Sequence, residues 1–221
     1  MAAGRGTRMG ALTDETPKPM LLILGKPKLE YSLSMLPDEV TEVILIVGYL
    51  GHQIRSYFGE SFAGKKVRYV EQATLNGSGG AVHCVKDLVE EKFLVLNGDD
   101  LYDPADLKRL CASELAVLAC ELEDASQFGV LKTDSEGRLT GIIERPHAPE
   151  LKTVNTGAYL LSKQFFDYPL VAISETEFGL PQTLVQVSDR YDIAVVTTKH
   201  WQSIGRPEDI PKGEEFLKKY R

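Results

Sequence analysis

The first residues of the chain, MAAGRGTRM, combine glycines with arginines in the way that phosphate-binding loops do. Gly4 and Gly6 expose backbone N–H groups, and Arg5 and Arg8 add guanidinium charge, so the loop can surround a phosphate. The pattern is not a P-loop, because no GK[ST] follows, and it is not GxGxxG, because Gly10 comes one position late. The glycines alone are therefore weak support for a nucleotide site.

Lys18 and Asp99 are two further residues suited to phosphate chemistry. Pro17 and Pro19 flank the lysine, and a residue before proline is pushed out of the helical region, so we predict a stiff, extended segment. Taken alone, Lys18 is more typical of a solvated loop lysine. Asp99 follows the apolar run FLVLN and Gly98, and a strand there would aim the carboxylate at the crevice beyond its end.

Apolar runs separated by helical patterns predict the elements that position these residues. The run Val43–Val47 and the runs FLVLN and LAVLAC are continuously apolar, as strands covered on both faces are. Helical patterns place Leu29, Leu33 and Leu36 on one face and predict a helix from about Ala81 to Val89. This order predicts an α/β fold, Rossmann-like, with a mainly parallel sheet, helices on both faces and ligands beyond the carboxyl ends of the strands.

The pattern changes from about Gln127 onwards. FGVLKTDSEGRLTGIIERP predicts a hairpin with DSEG as its turn, and TVNTGAYLLS predicts one more strand, so a small antiparallel lobe follows the parallel part. A helix around Pro181–Val187, the strand DIAVVTT and a closing helix complete the chain.

The composition restricts the partners of the chain. Its 221 residues carry a net charge of −7, whereas nucleic-acid binding needs a basic face, so we expect no nucleic-acid partner. No apolar run approaches the ~20 residues of a membrane span, and no secretory leader follows Met1, so we expect a cytoplasmic protein without a membrane partner. The three cysteines are predicted to be reduced and buried, and the four histidines show no zinc-ligand spacing.

Several short motifs resemble those of the sugar-phosphate nucleotidyltransferases, including glucose-1-phosphate thymidylyltransferases and uridylyltransferases. The motifs follow one another in the order found in that family and extend over nearly the whole chain. GxGTRM, LTDxTPKPM and GKPxLEY resemble the family signature, EQATLNGSGGA its base-recognition segment and VLNGDD its metal-binding strand end. FGV and ERP resemble its sugar side, VNTGAY its sugar-hydroxyl strand and WQSIGRPED its closing motif. The resemblance implies transfer of a nucleotidyl group from a nucleoside triphosphate to a sugar 1-phosphate, with release of pyrophosphate.

The resemblance also implies roles for residues of the nucleotide side. Transfer at the α-phosphorus needs phosphates held in line and charge that is offset, so cations and a metal carry catalysis. Arg8 would grip the β/γ end of the triphosphate, and Lys18 would stabilise charge at the α-phosphoryl group. Asp99 would hold Mg²⁺, the implied cofactor, with Ser203 as a weak second ligand. The other implied nucleotide-binding residues are Ala2, Ala3, Gly4, Gly6, Thr7, Gln72 and Gly77.

Two further sets of residues are expected to bind the base and the sugar. The Gln72 amide can accept from N3–H and donate to O4 of uracil or thymine, which favours UTP or dTTP, and Gly77 would let the backbone approach the nucleoside. On the sugar side the implied residues are Gly129, Glu144, Arg145 and Asn155, with arginine at 145 where the family usually has lysine. We interpret residues 1–221 as one domain, with a nucleotide-binding half at about 1–126 and a sugar-binding half at about 127–221.

Two departures from the family pattern leave alternatives open. The family usually carries aspartate where Ser203 stands, so either metal affinity falls or the chain is a non-catalytic regulatory relative that binds nucleotide sugar. Family members also begin with a strand of about five residues before the glycine loop, and here only Met1, Ala2 and Ala3 precede Gly4. We expect that first strand to be missing, with unpaired ladder groups costing about 1–3 kcal/mol each.

Two explanations fit the short beginning of the chain: the true start lies upstream, or another segment fills the place of the strand. The alternative activity is guanylyl transfer to mannose 1-phosphate, against which only Gln72 argues. A dinucleotide-dependent dehydrogenase would share the parallel sheet, but the chain lacks its GxGxxG fingerprint.

Overall fold

Strands and helices alternate along the chain in the computed structural model. The structure describes residues 1–146 and 150–220. His147, one of the four histidines, lies outside the described residues. The strands are β1 (Leu22–Ile23), β2 (Lys26–Pro27), β3 (Glu42–Val47), β4 (Ser61–Phe62), β5 (Lys65–Glu71), β6 (Lys92–Leu96), β7 (Asp100–Tyr102), β8 (Ala116–Glu121), β9 (Gly129–Thr133), β10 (Leu139–Glu144), β11 (Thr153–Ser162), β12 (Val171–Ala172), β13 (Phe178–Gly179), β14 (Ala194–Thr198) and β15 (Trp201–Ser203). The α-helices are α1 (Lys28–Ser34), α2 (Gly51–Phe58), α3 (Gly77–His83), α4 (Pro104–Cys111), α5 (Leu180–Val187) and α6 (Ile210–Leu217). Segments of 3₁₀ helix lie at Thr7–Thr13, Lys18–Met20, Lys163–Asp167, Pro207–Asp209 and Lys218–Tyr220. The predicted α/β class is confirmed.

The described chain divides into two compact units, each built from segments that are distant in sequence. The first unit combines Met1–Leu75, Asn97–Leu107 and residues 200–220, and the second combines Asn76–Leu96 and Lys108–Lys199. The division into halves at about residue 126 stays a prediction.

A three-stranded sheet and a two-stranded ribbon form the framework of the first unit. β3 and β5 are parallel, and β4 adds an antiparallel edge, so the predicted strand at Val43–Val47 is confirmed. Leu29 and Leu33 of α1 pack with Leu45 and Ile54 in one core cluster, as their helical spacing predicts. The ribbon consists of β7 and β15, which are antiparallel and place Asp100 opposite Ser203.

The first three residues of the chain lie beside β3, where the family's first strand is expected. Ala2 pairs in parallel with Val47, and its N–H donates to the carbonyl of Ile46 (2.8 Å). The N–H of Gly98 donates to the carbonyl of Met1 (2.8 Å). The expectation of unpaired ladder groups is therefore wrong at Ile46 and Gly98. The N–H of Ala2 satisfies the carbonyl of Ile46, and the carbonyl of Met1 satisfies the N–H of Gly98.

The second unit is organised around β11, the ten-residue strand Thr153–Ser162. β11 runs antiparallel to β6, β8 and β9, and β8 carries β14 in parallel on its other side. The predicted hairpin is confirmed as β9 and β10, with the carboxylate of Asp134 accepting from the N–H groups of Glu136 (2.9 Å) and Arg138 (3.0 Å) in the turn. The sheets are thus mixed, with parallel pairs and an antiparallel hairpin in the same framework.

The helices contain seven or eight residues each, and one of them differs from its predicted position. α5 agrees with the predicted Pro181–Val187 helix. α3 begins at Gly77, before the predicted start at Ala81, and ends at His83, before the predicted end at Val89, because the glycine-rich segment itself forms the first turn. Cys84 follows α3 and is exposed, so its predicted burial is wrong, whereas the burial of Cys120 is confirmed. Within residues 1–146 and 150–220, no helix has the length and apolar character needed to cross a membrane.

Gly48, directly after β3, tests whether the first residues are held as described. A Cβ at Gly48 would lie 2.8 Å from the carbonyl oxygen of Ala3. We expect Gly48→Ala to lower the free energy of unfolding by about 1–3 kcal/mol, measured by urea denaturation, because the Ala3 segment must shift. The control is Gly141→Ala, whose Cβ would meet Lys132 at 3.7 Å, an ordinary contact, and which should change stability by less than about 0.5 kcal/mol. Equal stabilities of the two variants would contradict this packing.

Candidate active site

The glycine and arginine loop is a tight turn that lies against Lys18. It begins at Gly6, which has a left-handed backbone (φ 71°), and continues through Thr7–Thr13 as two 3₁₀ turns separated by a kink at Gly10 (φ 58°, ψ −141°). A Cβ at Gly6 would lie 2.7 Å from the Cβ of Lys18. The hydroxyl of Thr13 donates to the carbonyls of Gly6 (3.2 Å) and Gly10 (3.1 Å) and closes the loop. Glycine is therefore required where the loop crosses the lysine.

Gly4, Thr7 and Arg8 are exposed on this loop, whereas Ala2 and Ala3 are buried against β3. A Cβ at Gly205 would lie 4.0 Å from Nη1 of Arg8, so the Arg8 guanidinium reaches the segment that follows β15. The loop thus carries one guanidinium to the end of the β7–β15 ribbon.

The local conformation of Lys18 differs from the prediction. Pro17 is extended (φ −64°, ψ 142°), and Lys18 begins the 3₁₀ turn Lys18–Met20, in which the N–H of Met20 donates to the carbonyl of Pro17 (2.7 Å). The extended conformation expected at Lys18 is therefore wrong, because this turn outweighs the restriction that the following proline imposes. The same turn directs the side chain into the unit, where it is buried rather than solvated.

Lys18 and Asp99 form an ion pair although 81 residues separate them in the chain. The Lys18 side chain is 9% exposed and that of Asp99 is 27% exposed, so the pair is partly shielded from water. Burial raises the pKa of Asp99, but the charges of Lys18 and Lys28, the hydrogen bond from Lys18 and the charge of Arg8 together lower the pKa below its ordinary value. Arg8, Lys18 and Asp99 thus belong to one electrostatic cluster.

Asp100 is buried at the start of β7 and is held by neutral partners. Its carboxylate accepts from Nδ2 of Asn97 (3.2 Å) and is hydrogen-bonded to the side chain of Ser203, its neighbour across the ribbon. Burial, and then the charge of Asp99, raise the pKa of Asp100 to about 7. Ser203, predicted as a weak metal ligand beside Asp99, is therefore engaged with Asp100.

The donor set around Asp99 suits a hard cation that takes most of its ligands from a substrate. Mg²⁺ in phosphate-transfer sites is held through one or two carboxylates plus phosphate oxygens and water. The carboxylate of Asp99 is still partly exposed, whereas Asp100 is buried and satisfied by Asn97 and Ser203. Among residues 1–146 and 150–220, no group of three or more His, Cys, Asp or Glu side chains could hold a metal ion. Asp99 is therefore the candidate ligand, and a metal held there would need phosphate oxygens and water as its other ligands.

The two residues predicted to face the base lie in different units. Gln72 follows β5, is 5% exposed, and its backbone N–H donates to the carbonyl of Val47 (2.8 Å), so it sits at the carboxyl ends of the parallel strands. Gly77 begins α3 in the second unit with φ 88°, and a Cβ there would lie 2.9 Å from the backbone N of Phe178. The close contact with Phe178 therefore requires glycine at position 77, whether or not a nucleoside binds beside it.

Gly129 and Glu144 lie opposite each other across the β9–β10 hairpin. A Cβ at Gly129 would lie 3.1 Å from Oε1 of Glu144, and this oxygen accepts a hydrogen bond from Nε2 of Gln182 on α5 (2.7 Å). Glu144 is therefore oriented by a neutral amide, and within residues 1–146 and 150–220 its second carboxylate oxygen accepts no further hydrogen bond.

Arg145 and Asn155 are positioned by their own segments. Arg145 has a left-handed backbone (φ 46°), uncommon for a residue other than glycine, and its N–H donates to the carbonyl of Phe128 (2.9 Å). Asn155 donates through Nδ2 to the Tyr159 hydroxyl (2.7 Å) and accepts from the N–H of Gly157 (3.0 Å). These bonds hold the Asn155 amide where the pairing of β11 with β8 is interrupted.

Two residues of the site region are absent from the sequence prediction. Lys28 is fully buried at the start of α1, and Gln182 contacts Glu144. A lysine at the positive end of a helix, where the helix dipole disfavours cations, was a usable signal for Lys28. No spacing connects Gln182 with Glu144, because their contact joins a helix to a hairpin 38 residues away.

The raised pKa of Asp100 predicts a pH dependence of stability. Between about pH 4 and pH 7 the folded chain holds a proton on Asp100 that the unfolded chain releases, so this group makes stability fall as the pH rises. We expect Asp100→Asn, compared with the unchanged protein by urea denaturation in EDTA, to gain relative stability across this window. Asp134→Asn is the control of opposite sign, because hydrogen bonds from Arg138 lower the pKa of Asp134 and its contribution disappears as the pH falls. A constant difference between Asp100→Asn and the unchanged protein from pH 4 to 7 would contradict the assignment.

Comparison with known proteins identifies several that are similar to this chain over nearly all of its length. The bifunctional protein GlmU of Methanocaldococcus jannaschii is 32% identical over 220 residues, 98% of this chain and 53% of that protein. The chain thus spans about half the length of this and of the other GlmU proteins that it matches. The D-glycero-alpha-D-manno-heptose 1-phosphate guanylyltransferase of Campylobacter jejuni is 30% identical over 213 residues, 95% of this chain and 94% of that protein. The UTP–glucose-1-phosphate uridylyltransferase AglF of Haloferax volcanii is 28% identical over 229 residues, which cover 98% of this chain and 94% of that protein.

The fold and the family follow from two further comparisons. The crystal structure of HddC from Yersinia pseudotuberculosis superposes with a TM-score of 0.76 at 29% identity, over 100% of this chain and 97% of that one. The model of the nucleotidyl transferase family matches residues 1–219 of the 221. The chain therefore belongs to the nucleotidyl transferase family.

Proposed function

We propose that the chain transfers a nucleotidyl group from a nucleoside triphosphate to a sugar 1-phosphate. A phosphate oxygen of the sugar attacks the α-phosphorus, the bond from the α-phosphorus to the oxygen that bridges to the β-phosphate breaks, and pyrophosphate leaves. The observation that carries the proposal is the ion pair between Lys18 and Asp99, which lies against the Gly6 loop and within the field of Arg8.

The proposed work of the first unit is electrostatic. The exposed N–H groups around Gly4 and the guanidinium of Arg8 bind the triphosphate. Lys18 exchanges its bond to Asp99 for the non-bridging oxygens of the α-phosphoryl group and offsets the charge that gathers there. Mg²⁺ bound by Asp99, phosphate oxygens and water would supply further positive charge to the phosphates. Substrate binding thus releases the ammonium group from the carboxylate.

We further propose UTP or dTTP as the donor, on the basis of Gln72. Its amide is buried at the carboxyl ends of β3 and β5, and amide groups recognise N3–H and O4 of uracil or thymine together. Guanylyl transfer is the second candidate, and the similarity to the guanylyltransferase of Campylobacter jejuni favours it.

The second unit carries the residues we propose for the sugar 1-phosphate. Glu144 accepts hydrogen bonds from sugar hydroxyl groups, Asn155 can accept from them or donate to them, and Arg145 binds the phosphate through its planar fork. Gly129 leaves room at the Glu144 carboxylate, since a Cβ at this position would lie 3.1 Å from Oε1. Recognition of the sugar therefore depends on a carboxylate whose direction Gln182 sets.

Removing the Lys18 ammonium group tests the reaction. We expect Lys18→Met to lower kcat by roughly 10²-fold or more, measured as pyrophosphate release, because one charge that stabilises the transition state is lost. The matched control is Lys26→Met, which removes an exposed lysine paired with Glu30 and should retain activity. Full turnover by Lys18→Met would refute the assigned role.

The same assay, run over UTP, dTTP, GTP, CTP and ATP with glucose 1-phosphate and mannose 1-phosphate, decides the substrate. Highest activity with UTP or dTTP supports the role of Gln72, and highest activity with GTP supports the guanylyl alternative. A third outcome is that ligands raise the melting temperature of the unchanged protein and of Ser203→Asp, but neither releases pyrophosphate. That outcome would support the alternative hypothesis of a non-catalytic protein that binds nucleotide sugar.

The contact between Gln182 and Glu144 predicts a separate effect on sugar binding. We expect Gln182→Leu to raise the KM for the sugar 1-phosphate by roughly tenfold, because an orienting hydrogen bond is lost, and to leave the KM for the nucleoside triphosphate unchanged. Gln186→Leu is the control on the same helix, since it loses a hydrogen bond to the carbonyl of Pro169 (2.9 Å) and should alter neither KM. Equal rises in both KM values would show that Gln182 acts only through general stability.

A further inference from the structure

Lys28 is a fully buried lysine that none of the roles described above uses. Its side chain has 0% exposure and lies at the first residue of α1. Burial of a charged group and a position at the positive end of a helix both disfavour an ammonium group. Burial lowers the pKa of Lys28 to about 8, so the group remains mainly charged at neutral pH. A charge kept under such conditions calls for an explanation.

The position of Lys28 relates it to the acidic end of the β7–β15 ribbon. Its Nζ donates to the carbonyl of Ile204, the residue after β15, at 3.4 Å. One helical turn later, the hydroxyl of Ser32 donates to the carbonyl of Asp100 (3.0 Å). Lys28 and Ser32 share a helix face, so this face crosses the ribbon at the end where Asp100 follows Asp99. The Lys28 charge is one of those that lower the pKa of Asp99.

Lys65 shows what a lysine buried for structural reasons looks like in the same unit. It is 7% exposed, and its Nζ donates to the carbonyls of Pro37 (2.9 Å) and Val40 (2.8 Å). Lys28, in contrast, has the Ile204 carbonyl at 3.4 Å as its one hydrogen-bond acceptor within residues 1–146 and 150–220, and it makes no ion pair within 4.0 Å there. Its ammonium group is thus poorly compensated, and by itself it destabilises the fold.

We infer that Lys28 is a positioning residue for the triphosphate, a fixed buried cation that offsets the charge of Asp99 when Lys18 turns from Asp99 to the phosphates. This inference rests on the proposed function of Lys18. Before Mg²⁺ binds, the departure of Lys18 would leave Arg8 and Lys28 to offset the Asp99 carboxylate, and without Lys28 the repulsion between Asp99 and the polyanion would weaken binding. With Lys28 in place, the cluster stays electropositive throughout the exchange.

A positioning role and a structural role predict opposite combinations of stability and binding. Lys28→Met retains an unbranched apolar side chain of similar length and removes only the charged group. If Lys28 serves the triphosphate, the variant becomes more stable and binds nucleotide less well, as expected where function retains a destabilising group. If Lys28 serves the fold, the variant becomes less stable and its binding is unchanged.

The test compares the unchanged protein with Lys28→Met and Lys65→Met in two measurements without metal. The melting temperature is measured calorimetrically in EDTA, and the Kd values of UTP, dTTP and GTP are measured in EDTA by isothermal titration. For Lys28→Met we expect a melting temperature higher by roughly 2–6 °C. We also expect the Kd of the best-bound triphosphate to rise roughly tenfold, the scale for losing one unit charge that acts on the ligand within a partly buried site. Lys65→Met should have a lower melting temperature and an unchanged Kd, because two buried carbonyls lose their donor.

Steady-state kinetics add a second measurement, the KM for the triphosphate, which would stay unchanged if Lys28 had only a structural role. With sugar 1-phosphate present, Lys28→Met should raise the KM for the triphosphate and leave the KM for the sugar 1-phosphate unchanged. A lower melting temperature with an unchanged Kd would overturn the inference. Lys28→Leu is the second variant, and failure of both variants to fold would also overturn it, because the ammonium group would then be needed for the fold itself.

The outcomes separate this inference from the proposed reaction. If the unchanged protein binds a triphosphate but releases no pyrophosphate with any sugar 1-phosphate, the reaction fails, and weaker binding by Lys28→Met still supports the cation's role. If the unchanged protein turns over and Lys28→Met matches it in Kd and in KM for the triphosphate, the inference fails alone.

Discussion

The ion pair between Lys18 and Asp99 is the interaction on which the arrangement of the first unit depends. It can form only because Gly6 has no Cβ where the loop crosses Lys18, and because the Lys18–Met20 turn buries the side chain. On the other side, Asp99 follows Gly98, whose N–H is bonded to the carbonyl of Met1 and whose Cβ, if present, would lie 2.6 Å from that oxygen. The first residues of the chain therefore help to fix the position of the carboxylate.

The buried charges around this pair explain why a serine is compatible with position 203. Asp99 is offset by cations, whereas Asp100 has neutral partners and a raised pKa. Ser203 lies directly opposite Asp100 in the ribbon, and an ionised carboxylate at that position would face the buried Asp100 side chain without a proton to donate to it. A hydroxyl group can instead donate to Asp100. The departure from the family pattern at position 203 and the burial of Asp100 thus form one consistent arrangement.

Sequence patterns predict those features that depend on near neighbours. The apolar run of β3, the face of Leu29 and Leu33, the α5 helix and the Asp134 turn all reflect local spacing, and the structure has each of them. Contacts between distant segments carry no local signal. The contact of Phe178 with Gly77, and the burial of Lys28 under the ribbon, depend on how separate elements pack. The conformation of Lys18 was mispredicted because a hydrogen-bonded turn prevailed over a dipeptide preference.

The two carboxylates proposed for the substrates are held in ways that suit different chemistry. Asp99 is paired with the ammonium group of Lys18, which can exchange the carboxylate for a phosphate, and the strength of the interaction comes from charge. Glu144 is held by the neutral amide of Gln182, which fixes its direction without neutralising it. A polyanion requires surplus positive charge, whereas sugar hydroxyl groups require acceptors at defined angles. The choice of partner for each acid thus follows from whether the proposed ligand is recognised by charge or by hydrogen-bond geometry.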